Sequence, residues 1–217
     1  MSDSLVPGPS DALLVIDVQT DFCPGGALAV KDGDAVVPVI NWLMPLFDTV
    51  VLTQDWHPAD HASFASAHAG AAPFSTTAMP YGTQVLWPDH CVQGTAGAAF
   101  HPRLDTARAA VVVRKGMNRG IDSYSAFFEN DRSTPTGLAG WLRDKGIGRV
   151  FCTGLATDFC VAYSALDARA LGLEVVLVED ACRGIDLDNS LAVALSDMAA
   201  AGVTAVKAAT LHREGRP

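Results

Sequence analysis

Positive charge is scarce in this 217-residue chain: fifteen Lys and Arg stand against 24 Asp and Glu, for a formal net charge of −9. Binding to a nucleic-acid backbone or an anionic membrane surface needs clustered basic side chains, and neither partner is expected. Long apolar runs are missing as well, since no uncharged stretch approaches the ~20 residues of a membrane-spanning helix. Residues 1–10 carry no basic flank and no apolar core of the kind a signal peptide needs. They are expected to form a flexible terminus, and the protein to be cytoplasmic. Cysteine is sparse and odd in number: Cys23, Cys91, Cys152, Cys160 and Cys182 make no C-x-x-C pair. That spacing argues against a disulfide framework and for reduced thiols. Neither G-x-G-x-x-G after the first strand nor a Walker loop occurs, which removes the dinucleotide and P-loop readings.

What the chain has is alternation. Apolar runs over Ala12–Ile16, Thr49–Thr53, Ala109–Arg114, Arg149–Thr153, Glu174–Glu179 and Val203–Val206 read as buried strands. Between them, helical spacing of apolar residues predicts helices over Val36–Phe47, Thr136–Lys145, Ala162–Leu171 and from Asn189, as cap, through Ala201. This pattern predicts an α/β fold with three layers, α/β/α, around a mainly parallel central sheet. The length suits one domain, residues 1–217, with 59–102 as a loop-rich region rich in Ala, Gly, Pro, His and Ser. Phe64, Phe74, Trp87 and His90 suggest that this region is packed over a site.

Chemistry-bearing residues collect where strands end. Asp17 follows the first strand, at the carboxyl edge where open α/β sheets bind ligands, although an acid there also suits a helix cap. Lys115 follows the third, where a solvated surface charge is the competing reading. Cys160 lies in Gly154-Leu155-Ala156-Thr157-Asp158-Phe159-Cys160-Val161, a strand-to-helix turn. With Thr157 or Asp158 as side-chain N-cap, Cys160 falls in the first helical turn, where unpaired amides favour a thiolate. A small apolar filler is the equal alternative. Asp55 and His57 alternate to one side of an extended segment, His61 folds back after Pro58, and His90 sits in a second loop. One carboxylate and three imidazoles form a plausible set for a divalent metal, or a histidine-rich surface.

Taken together, Val15–Gly26, Asp55-Trp56-His57-Pro58, Trp87-Pro88-Asp89-His90-Cys91-Val92, Arg114-Lys115-Gly116, Asp122-Ser123-Tyr124-Ser125 and Gly154–Val161 resemble the isochorismatase-like cysteine hydrolase superfamily, in its order and over most of the chain. The likeness is to the branch that hydrolyses nicotinamide and pyrazinamide. It implies Asp17 as proton acceptor, Lys115 as the cation beside the charged pair, and Cys160 as nucleophile. It implies an oxyanion hole of the Ala156 and Cys160 N–H groups, with a cis peptide before Ala156. Asp55, His57, His61 and His90 are implied as ligands of one divalent metal (Zn, with Fe or Mn as alternatives) that binds the substrate's ring nitrogen. Phe22, Trp87 and Tyr124 would line the ring pocket. The implied activity is hydrolysis of a small-molecule carboxamide, nicotinamide, to acid and ammonia through a thioester, in NAD salvage. The nearest alternative is a sibling amidase acting on a carbamoyl or ureido compound. A true isochorismatase has no need of Cys160, and a redox sensor has no use for the Asp-Lys-Cys set. Oligomeric state, a homo-oligomer included, stays open.

Overall fold

The computed structural model describes residues 5–212. Its centre is β1 (Asp11–Ile16), buried at every position as expected of a strand covered on both faces. The chain continues through α1 (Val36–Leu43), β2 (Thr49–Asp55), a hairpin of β3 (Thr76–Met79) and β4 (Gly82–Val85), and β5 (Val111–Lys115). Then come α2 (Leu138–Asp144), β6 (Arg149–Leu155), α3 (Ala162–Ala170), β7 (Glu174–Arg183), α4 (Ser190–Ala200) and β8 (Thr204–Val206). Six strands form one parallel sheet in the order β5-β2-β1-β6-β7-β8. Helices on its two faces complete the three-layer α/β/α arrangement.

The order reverses direction between β1 and β6. That is the doubly wound topology, in which a crevice opens at the switch point beyond the carboxyl ends of the two diverging strands. The dinucleotide fingerprint is missing from the sequence, yet the crevice exists, so its contents are set by other loops. Asp17 follows β1 and Cys160 follows β6, so one residue stands on each side of it.

Several local expectations shift. Pro38 falls at the third position of α1, where its missing N–H costs no helical bond, and the helix passes into a 3-10 turn over Met44–Leu46. Helix α2 starts later than expected because Gly137, at φ +97°, occupies a left-handed conformation before it. Asn189 does precede α4, but its side chain makes no capping bond. Strand β7 runs on past Glu179 to Arg183, with a register shift against β6 between Cys152 and Gly154. The β3–β4 hairpin, inside the region read as loop, was invisible to hydrophobic patterning because Gln84 is its only buried strand residue. Of the terminus expected to be flexible, residues 1–4 lie outside the described residues, and Leu5 bridges to Leu211. Among the described residues no helix is long and apolar enough to cross a membrane.

Candidate active site

Each carboxyl edge delivers a side chain for a reason legible in the local backbone. Asp17 leaves β1 at φ +49°, in the left-handed region that Asp tolerates better than most residues. This turn is held by Thr53: the Asp17 N–H donates to Thr53 Oγ1 at 3.1 Å, and Thr53 Oγ1 donates to Asp17 Oδ1 at 2.6 Å. Gly154 on β6 makes room for it, since a Cβ there would lie 2.0 Å from the Ile16 carbonyl oxygen. Cys160 rides a single π-type turn, Thr157–Val161, that opens into α3. Such turns recur at functional sites because they let one side chain leave the regular helical path. The Leu155–Ala156 peptide is cis.

Lys115 closes the group. Although a lone lysine is ordinarily a surface charge, this one is 2% exposed. Its Nζ lies 2.8 Å from Asp17 Oδ2, 2.8 Å from the Ser123 carbonyl oxygen and 3.5 Å from Cys160 Sγ, and it also donates to Asp55 Oδ1. One carboxylate oxygen each from Asp17 and Asp55 and the sulfur of Cys160 all lie within 4.8 Å of one another. Asp17 Oδ2 accepts no well-aimed hydrogen bond and so has a lone pair to spare.

Burial decides the protonation states. It lifts Asp17 to about 6 against the opposing pull of Lys115, and it pushes the Cys160 thiol well above its ordinary range, again against Lys115. Burial works against Asp55 too, but Lys115 and His57 outweigh it and hold this carboxyl well below the usual range. Burial thus favours the thiol form of Cys160 and opposes the helix-start effect, with Asp17 beside it as the group placed to take the proton. Thr157 and Asp158 as side-chain N-caps are corrected. Ala156 takes the N-cap position, and Asp158 instead accepts from the Ile185 N–H at 2.9 Å, the Asp186 N–H at 2.7 Å and Ser190 Oγ at 2.5 Å. It ties the loop after β7 to the nucleophile turn.

Above this trio, Phe22, Trp87, Tyr124 and Phe159 join Asp55, His90, Asp122, Ala156 and Cys160 around one cavity. Trp87 meets Phe159 edge-on at 4.9 Å between ring centres, and Tyr124 meets Phe159 at 5.6 Å.

A sequence model of the isochorismatase domain matches residues 11–210. The chain belongs to the isochorismatase family. A nicotinamidase of Acinetobacter baylyi is 56% identical over 192 residues, covering 88% of this chain and 90% of that protein. The solved nicotinamidase–pyrazinamidase of Acinetobacter baumanii superposes with a TM-score of 0.92 at 51% identity, covering 93% of this chain and 98% of the other. The pyrazinamidase of Pyrococcus horikoshii, solved in complex with zinc, superposes at 0.76 with 37% identity, covering 92% and 99% of the two chains.

Whether this isochorismatase-family chain could hold a metal is a question of its donors. Asp55, His57 and His90 each present one ligand atom within 4.8 Å of the others, all buried. The His57 Nδ1–H donates to the Gly116 carbonyl at 2.9 Å and the His90 Nδ1–H to the Pro88 carbonyl at 2.8 Å. Both rings are thereby set to offer Nε2, as metal-ligating histidines usually are. Burial and the neighbouring His57 depress His90 to about 4, which keeps it in the neutral, ligating form. The set fits a divalent transition metal. His61 belongs to a second group, with His57 and Asp122, whose ligand atoms also lie within 4.8 Å of one another; its ring lies 4.4 Å from that of His57, its Nε2 meets the Asn118 and Ile121 carbonyls at 2.9 and 3.2 Å, and Ser63 Oγ lies 2.7 Å from Nδ1.

Sequence reasoning passed over four residues of this site. Thr53 carried a usable signal, since it lies two residues before Asp55 on an extended strand and so shares its side. Asp122 stood inside a quoted motif without a role, and Phe159 was masked by its neighbour Cys160. Gln19 had no local signal: it is completely buried, donates to the Asp55 and Ala98 carbonyls and accepts the Asp55 N–H.

Proposed function

We propose that this chain is a nicotinamidase, hydrolysing nicotinamide to nicotinate and ammonia in NAD salvage and accepting pyrazinamide as well. The observation that carries this reading is the convergence of Asp17, Lys115 and Cys160 at the switch point, with Lys115 Nζ 2.8 Å from Asp17 Oδ2 and 3.5 Å from the sulfur. In this reaction Asp17 takes the proton from Cys160 Sγ, and the sulfur attacks the carboxamide carbon. Lys115 stabilises the negative charge that passes from oxygen to sulfur. The N–H groups of Ala156 and Cys160 hold the oxyanion. Asp17 returns the proton to the leaving nitrogen, ammonia departs and a thioester remains. Asp17 then takes a proton from water, whose oxygen attacks the thioester and releases the acid and the thiol.

Phe22, Trp87, Tyr124 and Phe159 pack around the ring of the substrate. Asp55, His57 and His90, with His61 as the expected fourth member, would hold a divalent metal, zinc in our reading, and that ion would supply a Lewis acid for the ring nitrogen that orients the substrate. The 56% identity to a nicotinamidase supports nicotinamide over carbamoyl or ureido substrates. The test is ammonia release from nicotinamide by purified protein, with a Cys160→Ala control and with a chelator. We expect turnover in the native protein and a loss of at least ~10³-fold in the variant, as for removal of a covalent nucleophile. Substantial turnover by Cys160→Ala would end the covalent reading.

A further inference from the structure

Gln84 is a fully buried amide on a hairpin that is otherwise exposed or half-buried. A polar side chain in such a place has to find partners for both ends. Its Nε2 lies 2.7 Å from Asp122 Oδ2, 2.7 Å from the Val85 carbonyl oxygen and 3.0 Å from Tyr124 Oη, three acceptors that share its two hydrogens. Its Oε1 accepts from Tyr81 Oη at 3.2 Å and from Asn130 Nδ2 at 3.3 Å. The partners at the two ends fix which way the amide points, because only the nitrogen can face the carboxylate. Tyr124 Oη also accepts from the Trp87 indole N–H at 3.1 Å. One side chain from the hairpin thus reaches three walls of the cavity: Asp122 and Tyr124 directly, and Trp87 through the shared hydroxyl.

We infer that Gln84 is a positioning residue for substrate binding, a role resting on the amidase reading above. It touches none of Asp17, Lys115 and Cys160 in the contacts described, so its work is confined to the walls that receive the ring. With two donors on its hydroxyl oxygen, Tyr124 is held to one ring orientation, and Trp87 spends its N–H on Tyr124 rather than on the guest. The aromatic wall of the cavity is therefore held in place by a polar network behind it. Loss of Gln84 leaves a buried carboxylate oxygen and a hydroxyl short of a donor, and the cheapest relief is for Asp122 and Tyr124 to turn or admit water.

The test is a comparison of Gln84→Leu, Gln84→Glu and wild type in nicotinamide hydrolysis with metal-replete protein, reading kcat and KM separately. The rate at which iodoacetamide alkylates Cys160 is followed in parallel. For Gln84→Leu we expect KM to rise about tenfold, the usual scale for removing one hydrogen bond to a charged group, with kcat within about threefold and the alkylation rate unchanged. Gln84→Glu sets a second carboxylate against Asp122 and should raise KM further. Should the hairpin fail to fold in these variants, Tyr124→Phe, which keeps the ring and deletes only the shared hydroxyl, must raise KM in the same way. An unchanged KM in the folded variants overturns the inference, as does a fall in kcat at constant KM. Absence of turnover in wild type would instead strike the amidase reading itself.

Discussion

Gly116→Ala isolates the local backbone fit at the metal site from every other feature of the fold. Gly116 sits at φ +65°, and a Cβ built on it would lie 2.3 Å from His57 Cε1 and 2.6 Å from His57 Nδ1. Those distances are about 1 Å inside ordinary carbon contact, on the steep side of the potential. The imidazole has little freedom to retreat: its Nδ1–H is held by the Gly116 carbonyl at 2.9 Å, and Phe64 packs against it edge-on at 5.5 Å between ring centres. The left-handed backbone alone costs alanine ~1–2 kcal/mol. Displacing His57 breaks the hydrogen bond that sets its tautomer, a class of change that weakens metal binding ~10–100-fold. Gly146→Ala is the matched control, because Gly146 has φ +71° and nothing within 4 Å of a built Cβ. Gly146→Ala should lose ~1–2 kcal/mol in urea unfolding of the metal-free protein, and Gly116→Ala that much plus the cost of the clash with His57. Only Gly116→Ala should lose metal affinity, measured by competition against a chromophoric chelator. Equal affinities in the two variants would refute the argument that this glycine exists to seat His57.

Two further outcomes follow from the same site. Thr53→Val removes the 2.6 Å donor to Asp17 Oδ1; because that bond favours the ionised carboxylate, its loss should move Asp17 upward from about 6, and the acid limb of kcat/KM should shift to higher pH. An acid limb that stays in place would mean that another group sets it. Asp158→Ala strips the partners from the Ile185 and Asp186 N–H groups and from Ser190 Oγ, which should cost ~3 kcal/mol in calorimetric unfolding, with Asp158→Asn in between. A loss below ~1 kcal/mol in Asp158→Ala would show that water readily replaces the carboxylate.

The sequence by itself determined the layer order of the fold, since six apolar runs separated by helical patterns admit few arrangements other than a parallel sheet covered on both faces. It also marked Asp17, Lys115 and Cys160 as candidates, because they are polar or reactive side chains at strand ends, and the roles proposed for them came from the resemblance of the surrounding motifs. Periodicity is a local signal, and it stops at what one segment can say. That β1 and β6 lie side by side at the switch point, so that Asp17 and Cys160 face each other from positions more than a hundred residues apart, is a matter of strand order. That burial opposes the helix-start effect at Cys160 is likewise a matter of what packs around the sulfur. His61 looked equivalent to His57 and His90 in spacing; the carbonyls of Asn118 and Ile121, far along the chain, decide where its Nε2 points. Gln84 gave no sign at all, and Gln19 none beyond its place in a family motif, because an amide in a polar loop reads the same whether it faces water or joins two walls of a site. Only the tertiary structure brings their partners within hydrogen-bonding range.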